Sequence, residues 1–281
     1  MTYPGVLLKS SNLFAKKELG QNFLSDPKAA EKIVSLAKIS DDDVVLEIGA
    51  GLGAITVHAA KKALKIYAVE KDSRIIPLLC SELESAGVDN VELIQKDILK
   101  LNINEIERGV KGKIVVIGNL PYNISSQVLF RLVQNRALIS KAVLMFQKEL
   151  ADRISAPPGG RDYGRLSAVM QYCSKIKTLT DVGSNLFFPK PDVESRVIEV
   201  EFVDFDYNLS LDQEEFLFQV IKAAFSKRRK TLRNSLASSE LKIGKSEIED
   251  GLEIAKIDPE RRAETLGVKE FVALTLALWD R

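Results

Sequence analysis

Between residues 44 and 146, short apolar runs rich in β-branched residues alternate with amphipathic stretches. No other feature constrains the fold as strongly. Val44-Val45-Leu46-Glu47-Ile48, Ile66-Tyr67-Ala68-Val69-Glu70, Val91-Glu92-Leu93-Ile94, residues 113–117 and Ala142-Val143-Leu144-Met145-Phe146 read as strands. Residues 54–62 and 75–86 read as helices between them. Strands that alternate with helices argue for an α/β fold, a parallel sheet covered on both faces. Ahead of this region the stretch to Lys16 reads as polar and irregular, and Asp26-Pro27 opens a capped helix.

After Arg153, Pro157-Pro158-Gly159-Gly160 interrupts the pattern. A helix at 166–172 and two strands, 176–182 and 196–203, follow, with the rigid aromatic loop Phe187-Phe188-Pro189-Lys190-Pro191 between the strands. Asp204-Phe205-Asp206-Tyr207-Asn208 reads as a linker. Residues 214–225, 230–238, 245–255 and 268–279 read as helices. The expected division is therefore residues 1–205 as an α/β domain and 206–281 as a smaller all-α domain; 281 residues suit two domains.

Composition narrows the classes of function. Hydrophobic residues make up 46% and the net charge is +1, so the chain reads as globular and bulk charge names no partner. Two distant cysteines, Cys80 and Cys173, and the single His58 argue against a disulfide framework, a Cys or His metal site and a His-centred triad; no metal is expected. No apolar run is long enough for a membrane span and no secretory core is seen, so a cytoplasmic location is expected.

The chemistry sits at the strand ends. Glu47-Ile48-Gly49-Ala50-Gly51-Leu52-Gly53 joins the first strand to a helix, and its glycines let the backbone pass close to a ligand. The spacing lacks the third glycine of the dinucleotide fingerprint. Glu47 would repel a pyrophosphate but can pair with an ammonium group. Glu70, closing the second strand, can accept ribose hydroxyls, and Asp97, after the third, can accept an adenine amino hydrogen. Each acid alone reads better as a solvated strand-end charge. Together with the glycine loop they fit an adenosyl ligand that carries an ammonium group and no phosphate, as S-adenosylmethionine does.

The fourth strand ends in Asn119-Leu120-Pro121-Tyr122. An amide and a backbone carbonyl can accept hydrogens from an exocyclic amine, proline fixes the backbone, and tyrosine can stack on the ring. An ordinary proline turn after a strand would show the same residues, so the motif gains meaning only beside the acids. With no cysteine in the motif, covalent attack on a pyrimidine ring is disfavoured. Lys227-Arg228-Arg229-Lys230 with Arg233 forms a dense basic tract in a neutral chain. Placed on a helix, with Arg229 and Arg233 on one face, it reads as a phosphate-binding patch or as a solvated helix start.

These residues resemble the KsgA family of ribosomal RNA adenine N6,N6-dimethyltransferases and, more loosely, the Erm methyltransferases. Besides the motifs above, the resemblance is carried by Leu19-Gly20-Gln21-Asn22-Phe23-Leu24, Tyr163-Gly164-Arg165-Leu166-Ser167, Phe188-Pro189-Lys190-Pro191-Asp192-Val193-Glu194-Ser195 and the basic tract. It departs in small ways, with Ala50 where many relatives carry proline and Ser226 where polar amides are common.

The resemblance implies a Rossmann-like class I methyltransferase sheet with a small helical RNA-binding domain. It implies dimethylation of two adjacent adenosines in the 3′-terminal hairpin loop of small-subunit (16S) rRNA within an immature subunit, by a monomer. Gln21, Asn22, Leu24, Glu47, Gly49, Gly51, Glu70, Asp97 and Asn119 would line the S-adenosylmethionine site. Asn119, Leu120 and Tyr122 would hold the adenine, with Phe187 as a second stacking wall. Lys227, Arg228, Arg229, Lys230 and Arg233 would bind RNA. A binding role in subunit assembly, an Erm-like action on large-subunit rRNA and DNA adenine methylation are the competing readings.

Overall fold

A computed structural model describes residues 2–107 and 112–279. By its internal contacts the chain forms two compact units, one of residues 1–151 with 176–202 and one of residues 152–175 with 203–281. The division is not a single cut at 205/206. Residues 152–175 lie in the α/β half of the sequence but cluster with the C-terminal helices.

The first unit begins with α1 (Pro4–Ser10), β1 (Phe23–Leu24) and α2 (Pro27–Leu36). The sheet region continues through β2 (Val44–Ile48), α3 (Thr56–Ala60), β3 (Lys65–Glu70), α4 (Ile76–Ser85), β4 (Val91–Gln95), α5 (Ile103–Glu107), β5 (Ile114–Asn119), α6 (Ser125–Gln134) and β6 (Ile139–Gln147). Along the chain then come α7 (Lys148–Ser155), α8 (Arg165–Cys173, of the second unit), β7 (Ser174–Val182), β8 (Phe187–Phe188) and β9 (Ser195–Phe202). Seven strands form one sheet in the order β4-β3-β2-β5-β6-β9-β7. β4 to β6 run parallel, and β9 returns antiparallel to β6. All five residues of β2 and five of six in β5 are buried. Burial on both faces explains why these strands read as continuous apolar runs rather than alternations.

One face carries Val45, Ile66, Ala68, Val115, Ile117, Val143 and Met145, packed with residues of α2, α3 and α4 such as Ile33, Val34, Val57 and Leu79. Alternate strand residues share a face, so one register sets the whole layer. The expected cap of α2 is present, with Asp26 accepting from the Ala29 N–H at 2.8 Å.

The N-terminal stretch corrects the expectation of irregular chain. Pro4–Ser10 is helical and buries Leu8, which packs with Phe23, Leu52 and Ile75. Seven residues with one buried leucine give too short a period for the sequence to reveal it.

The second unit contains α8 with α9 (Leu211–Ala224), α10 (Leu232–Ala237), α11 (Lys245–Ile254) and α12 (Val268–Trp279). Ser210 and Gln213 form a capping box on α9. Leu217, Val220, Leu232, Ile248, Phe271 and Leu274 are fully buried. The stretch 204–208 is irregular as expected of a linker, yet Tyr207 stacks on Tyr172 with centroids 5.3 Å apart.

The basic tract is not helical. Residues 227–230 form an exposed turn between α9 and α10, which begins only at Leu232. Arg229 and Arg233 therefore do not share a helix face. Thr231 takes the position before the helix, and its hydroxyl accepts from Asn234 Nδ2 at 2.9 Å rather than from a backbone N–H of the first turn.

Gly118 shows what the sheet demands of one residue. A Cβ placed there would lie 2.5 Å from the Ile48 carbonyl oxygen of the neighbouring strand. Gly118→Ala should therefore cost about 1–3 kcal/mol through forced strand separation. The urea-unfolding midpoint measures this, and an unshifted midpoint would show that the strands tolerate the methyl group.

Candidate active site

Five segments of the first unit converge on one cleft. They are residues 18–24, the glycine loop after β2, the ends of β3 and β4, and the turn that follows β5. In a parallel sheet, adjacent strand ends and their loops open on the same edge, so acids separated in sequence meet there. Gln21, Asn22, Leu24, Glu47, Gly49, Gly51, Glu70, Asp97, Asn119, Leu120 and Tyr122 all line the cleft.

Gly49, Gly51 and Gly53 adopt φ of 75°, 58° and 88°, a backbone that side chains rarely permit. The Gly49 and Ala50 N–H groups donate to the Val69 carbonyl at 2.9 and 3.1 Å, which seats the loop on β3. Glu70 completes the seating. One carboxylate oxygen accepts the Gly51 N–H at 2.9 Å and the other the Asp72 N–H at 2.8 Å. Burial raises the Glu70 pKa against those hydrogen bonds.

Glu47 is more extreme. It is 1% exposed, and its Oε2 has no hydrogen-bond partner. Burial pushes its carboxyl up to about 8; neighbouring Thr56 favours ionisation and Glu70 opposes it. A buried carboxyl oxygen without a partner, lining a cleft, suits a cation brought by a ligand. Asp97 behaves differently. Burial opposes its ionisation, but the Lys71 ammonium at 2.9 Å and the Leu99 N–H hold its carboxyl below the usual range.

Gln21 lines the cleft, but both ends of its amide are engaged. Its oxygen accepts the Lys16 N–H at 2.7 Å and its nitrogen donates to Asp72 at 2.9 Å. The Arg74 guanidinium holds the Asp72 carboxyl near 2. Gln21 thus braces the Asp72–Glu70 pair rather than offering a free amide. Asp72, two positions beyond the end of β3, carries no signal of its own in the sequence.

The turn after β5 is tied down from several sides. Asn119 Nδ2 donates to the Asn22 carbonyl at 2.9 Å, and Asn123 Nδ2 donates to the Glu18 carbonyl at 3.2 Å. Gly20, at φ 61°, lies so close that a Cβ would meet Asn123 Oδ1 at 3.2 Å and Pro121 at 3.3 Å. Ser125 Oγ donates to the Pro121 carbonyl at 2.9 Å. With its nitrogen committed to Asn22, Asn119 keeps Oδ1 as an acceptor. The hydroxyl of half-buried Tyr122 lies 3.1 Å from Ser195 Oγ, and burial raises its pKa.

Phe187 is placed differently from the expected second wall. It is 3% exposed, pairs with Leu24 across β1 and β8, belongs to the sheet core and does not line the cleft. An aromatic residue two before a proline reads the same whether it faces a ligand or the core.

In the second unit, Lys227, Arg228, Arg229 and Lys230 are exposed. Arg228 donates to the Arg161 carbonyl at 3.0 Å. Arg233 instead meets Glu260 at 2.9 Å and Glu249 at 3.7 Å, and is bound into the fold by carboxylates. Among the described residues no helix is long and apolar enough to cross a membrane, and no cluster of His, Cys, Asp or Glu that could hold a metal is found.

Comparison with known proteins places these features in a family. The model of the ribosomal RNA adenine dimethylase family matches residues 12–278. The ribosomal RNA small subunit methyltransferase A of Desulforapulum autotrophicum is 63% identical over 280 residues, covering 100% of this chain and 98% of the relative. Its namesake from Alkaliphilus oremlandii is 40% identical over 260 residues, covering 92% and 90%. Among solved structures, a dimethyladenosine transferase from Plasmodium falciparum superposes with a TM-score of 0.76 at 28% identity, over 92% of this chain and 98% of that one. The 23S rRNA methyltransferase ErmE shares the fold, with a TM-score of 0.66 at 23% identity over 92% and 100%. A cleft built from strand-end acids and an Asn-Leu-Pro-Tyr turn, in a chain matched over nearly its whole length, is that of a member of the ribosomal RNA adenine dimethylase family.

Proposed function

We propose that this enzyme methylates N6 of two adjacent adenosines in the 3′-terminal hairpin loop of small-subunit rRNA, giving N6,N6-dimethyladenosine during subunit biogenesis, with S-adenosylmethionine as donor. One observation carries the reading. Asn119, fixed through its nitrogen, presents an acceptor beside Tyr122 in the cleft that holds Glu47, Glu70 and Asp97.

The residues present fit the donor. Glu47, with its buried unpartnered oxygen, would hold the ammonium group, Glu70 the ribose hydroxyls and Asp97 the adenine amine, while Gly49 and Gly51 let the backbone approach. When bound, S-adenosylmethionine supplies a methyl group activated by its sulfonium charge. The remaining task is to make a poor nucleophile ready, because the adenine N6 lone pair is delocalised into its ring. Asn119 Oδ1 and the Leu120 carbonyl accept the two N6 hydrogens and draw the nitrogen toward tetrahedral geometry. Tyr122 supports the face of the base. Orientation and fixed dipoles do the work, without a covalent enzyme intermediate.

The substrate adenine must leave its stack, so an RNA loop is a less costly substrate than a duplex. The exposed turn 227–230 supplies phosphate contacts, with Arg233 serving to hold the turn's following helix. A role in assembly through binding can coexist with catalysis. Restoration of normal assembly by a catalytically dead Glu70→Ala enzyme would favour binding as the dominant role.

Glu47→Gln separates stability from function. Between the ordinary carboxylate value of 4.5 and about 8 the unfolded chain releases the Glu47 proton while the ligand-free fold retains it. Stability from this group is therefore present at low pH and lost as pH rises through that window. Glu47→Gln should flatten the pH dependence and raise the melting temperature at pH 8 by about 2–8 °C, yet weaken S-adenosylmethionine about 10–100-fold by calorimetry. A variant that binds the donor normally would remove Glu47 from the site.

Asn119→Ala should slow the first methylation of unmodified RNA by about 10²–10³-fold and the second, on premethylated RNA, by less, because only one N6 hydrogen remains to be accepted. Equal losses in both rounds would contradict this. Arg228→Ala combined with Arg229→Ala should weaken RNA binding and reduce the salt slope by roughly 0.7 per lost phosphate contact on single strands; unchanged affinity at low salt would exclude the turn from the interface.

A further inference from the structure

The geometry points to Ser195 as a positioning residue that fixes the ring of Tyr122 and matters more for the second methyl transfer than for the first. The inference rests on the reading of the Asn-Leu-Pro-Tyr turn as an adenine clamp and deepens it.

Ser195 begins β9 and is 0% exposed. Its Cα pairs with Gln147 of β6, and the preceding carbonyl, of Glu194, accepts the Lys148 N–H at 3.0 Å. The Ser195 hydroxyl therefore hangs from a strand end held by the sheet on both sides of the pair. Tyr122 is the opposite case. It sits in the turn between β5 and α6, half-buried, and reaches Ser195 Oγ with its phenol oxygen at 3.1 Å.

A tyrosine ring can swing about its Cα–Cβ bond. The phenol oxygen lies on the long axis of the ring, so a tether at that atom fixes where the axis points. With the backbone at one end and Ser195 at the other, the long axis of the ring is held at a set place in the turn that carries Asn119. Phenylalanine would stack as well but would lack the second anchor.

The two transfers ask different things of this hold. An unmodified adenine offers two N6 hydrogens, one for Asn119 Oδ1 and one for the Leu120 carbonyl. After one transfer it offers a single hydrogen and a methyl group. Hydrogen bonding to N6 is then halved, and the base is kept in place by stacking. A ring free to swing costs little while both hydrogen bonds are available and more when one is gone.

The test is single-turnover methylation of small-subunit rRNA substrate by the full-length enzyme. The product nucleosides are separated by liquid chromatography and mass spectrometry into N6-methyladenosine and N6,N6-dimethyladenosine. Ser195→Ala should slow the second transfer about three- to tenfold more than the first, the size of one neutral hydrogen bond, so that the monomethyl product accumulates. Tyr122→Phe, which keeps the ring and loses the hydroxyl, should give the same product ratio, and the double variant should be no worse than either alone.

A general packing defect would slow both rounds together and would add in the double variant. Equal slowing of both transfers, additive losses or an unchanged ratio overturns the proposal. Should Ser195→Ala fail to fold, Tyr122→Phe decides it by the same ratio. If the wild-type enzyme makes no dimethyladenosine, the reading of the function falls and takes this inference with it. If the wild type dimethylates and the variants leave the ratio unmoved, the inference falls alone.

Discussion

The hydrogen bond from Asn119 Nδ2 to the Asn22 carbonyl organises the site. An unrestrained amide can present either its oxygen or its nitrogen to a ligand. Tying the nitrogen to a backbone acceptor removes that ambiguity and leaves an acceptor for an amine. The same bond joins residues 18–24 to the end of β5, and the Asn123–Glu18 contact repeats the tie four residues on. The Asn-Leu-Pro-Tyr turn and one wall of the cleft are thus a single structure. It stands on Gly118, the one residue type that lets β5 pass within reach of the Ile48 carbonyl.

The carboxylates around this turn differ in protonation and partners because their surroundings differ. Glu70 is engaged by two backbone N–H groups and shapes the glycine loop while still lining the cleft. Asp97 is kept ionised by Lys71. Glu47 is buried, lacks a partner at one oxygen and holds its proton to about pH 8. That arrangement costs the free protein stability, as unsatisfied buried polar groups do. Such a group is consistent with a partner that arrives only with a ligand.

Much of this could be read in the sequence, because the relevant signals are local. The order and type of the central strands follow from apolar runs long enough to be buried on both faces. Glu70 and Asn119 close their strands, Glu47 is one residue short of the end of β2 and Asp97 lies two residues past β4, so their places at the strand ends are legible from local pattern. Where a residue's role depends on what another segment brings, the sequence was silent or misleading. Gln21 lines the cleft as expected, but its amide is engaged at both ends, by Lys16 and by Asp72. Phe187 looked like a stacking wall and lies in the core against Leu24. The basic tract was placed on a helix with Arg229 and Arg233 on one face, whereas the helix starts only at Leu232, after an exposed turn.

The sequence by itself determined the α/β class, the acids at successive strand ends and the amide-proline-aromatic turn, because hydrophobic periodicity and turn chemistry act over a few residues. Only the tertiary structure decided which atoms of those residues remain available. That depends on contacts between segments far apart in the chain: Asn119 with Asn22 across 97 positions, Tyr122 with Ser195 across 73, Gln21 with Asp72 across 51. A hydrogen bond holds its partners to about 3 Å, a constraint that spacing along the chain does not carry and that the packed fold supplies.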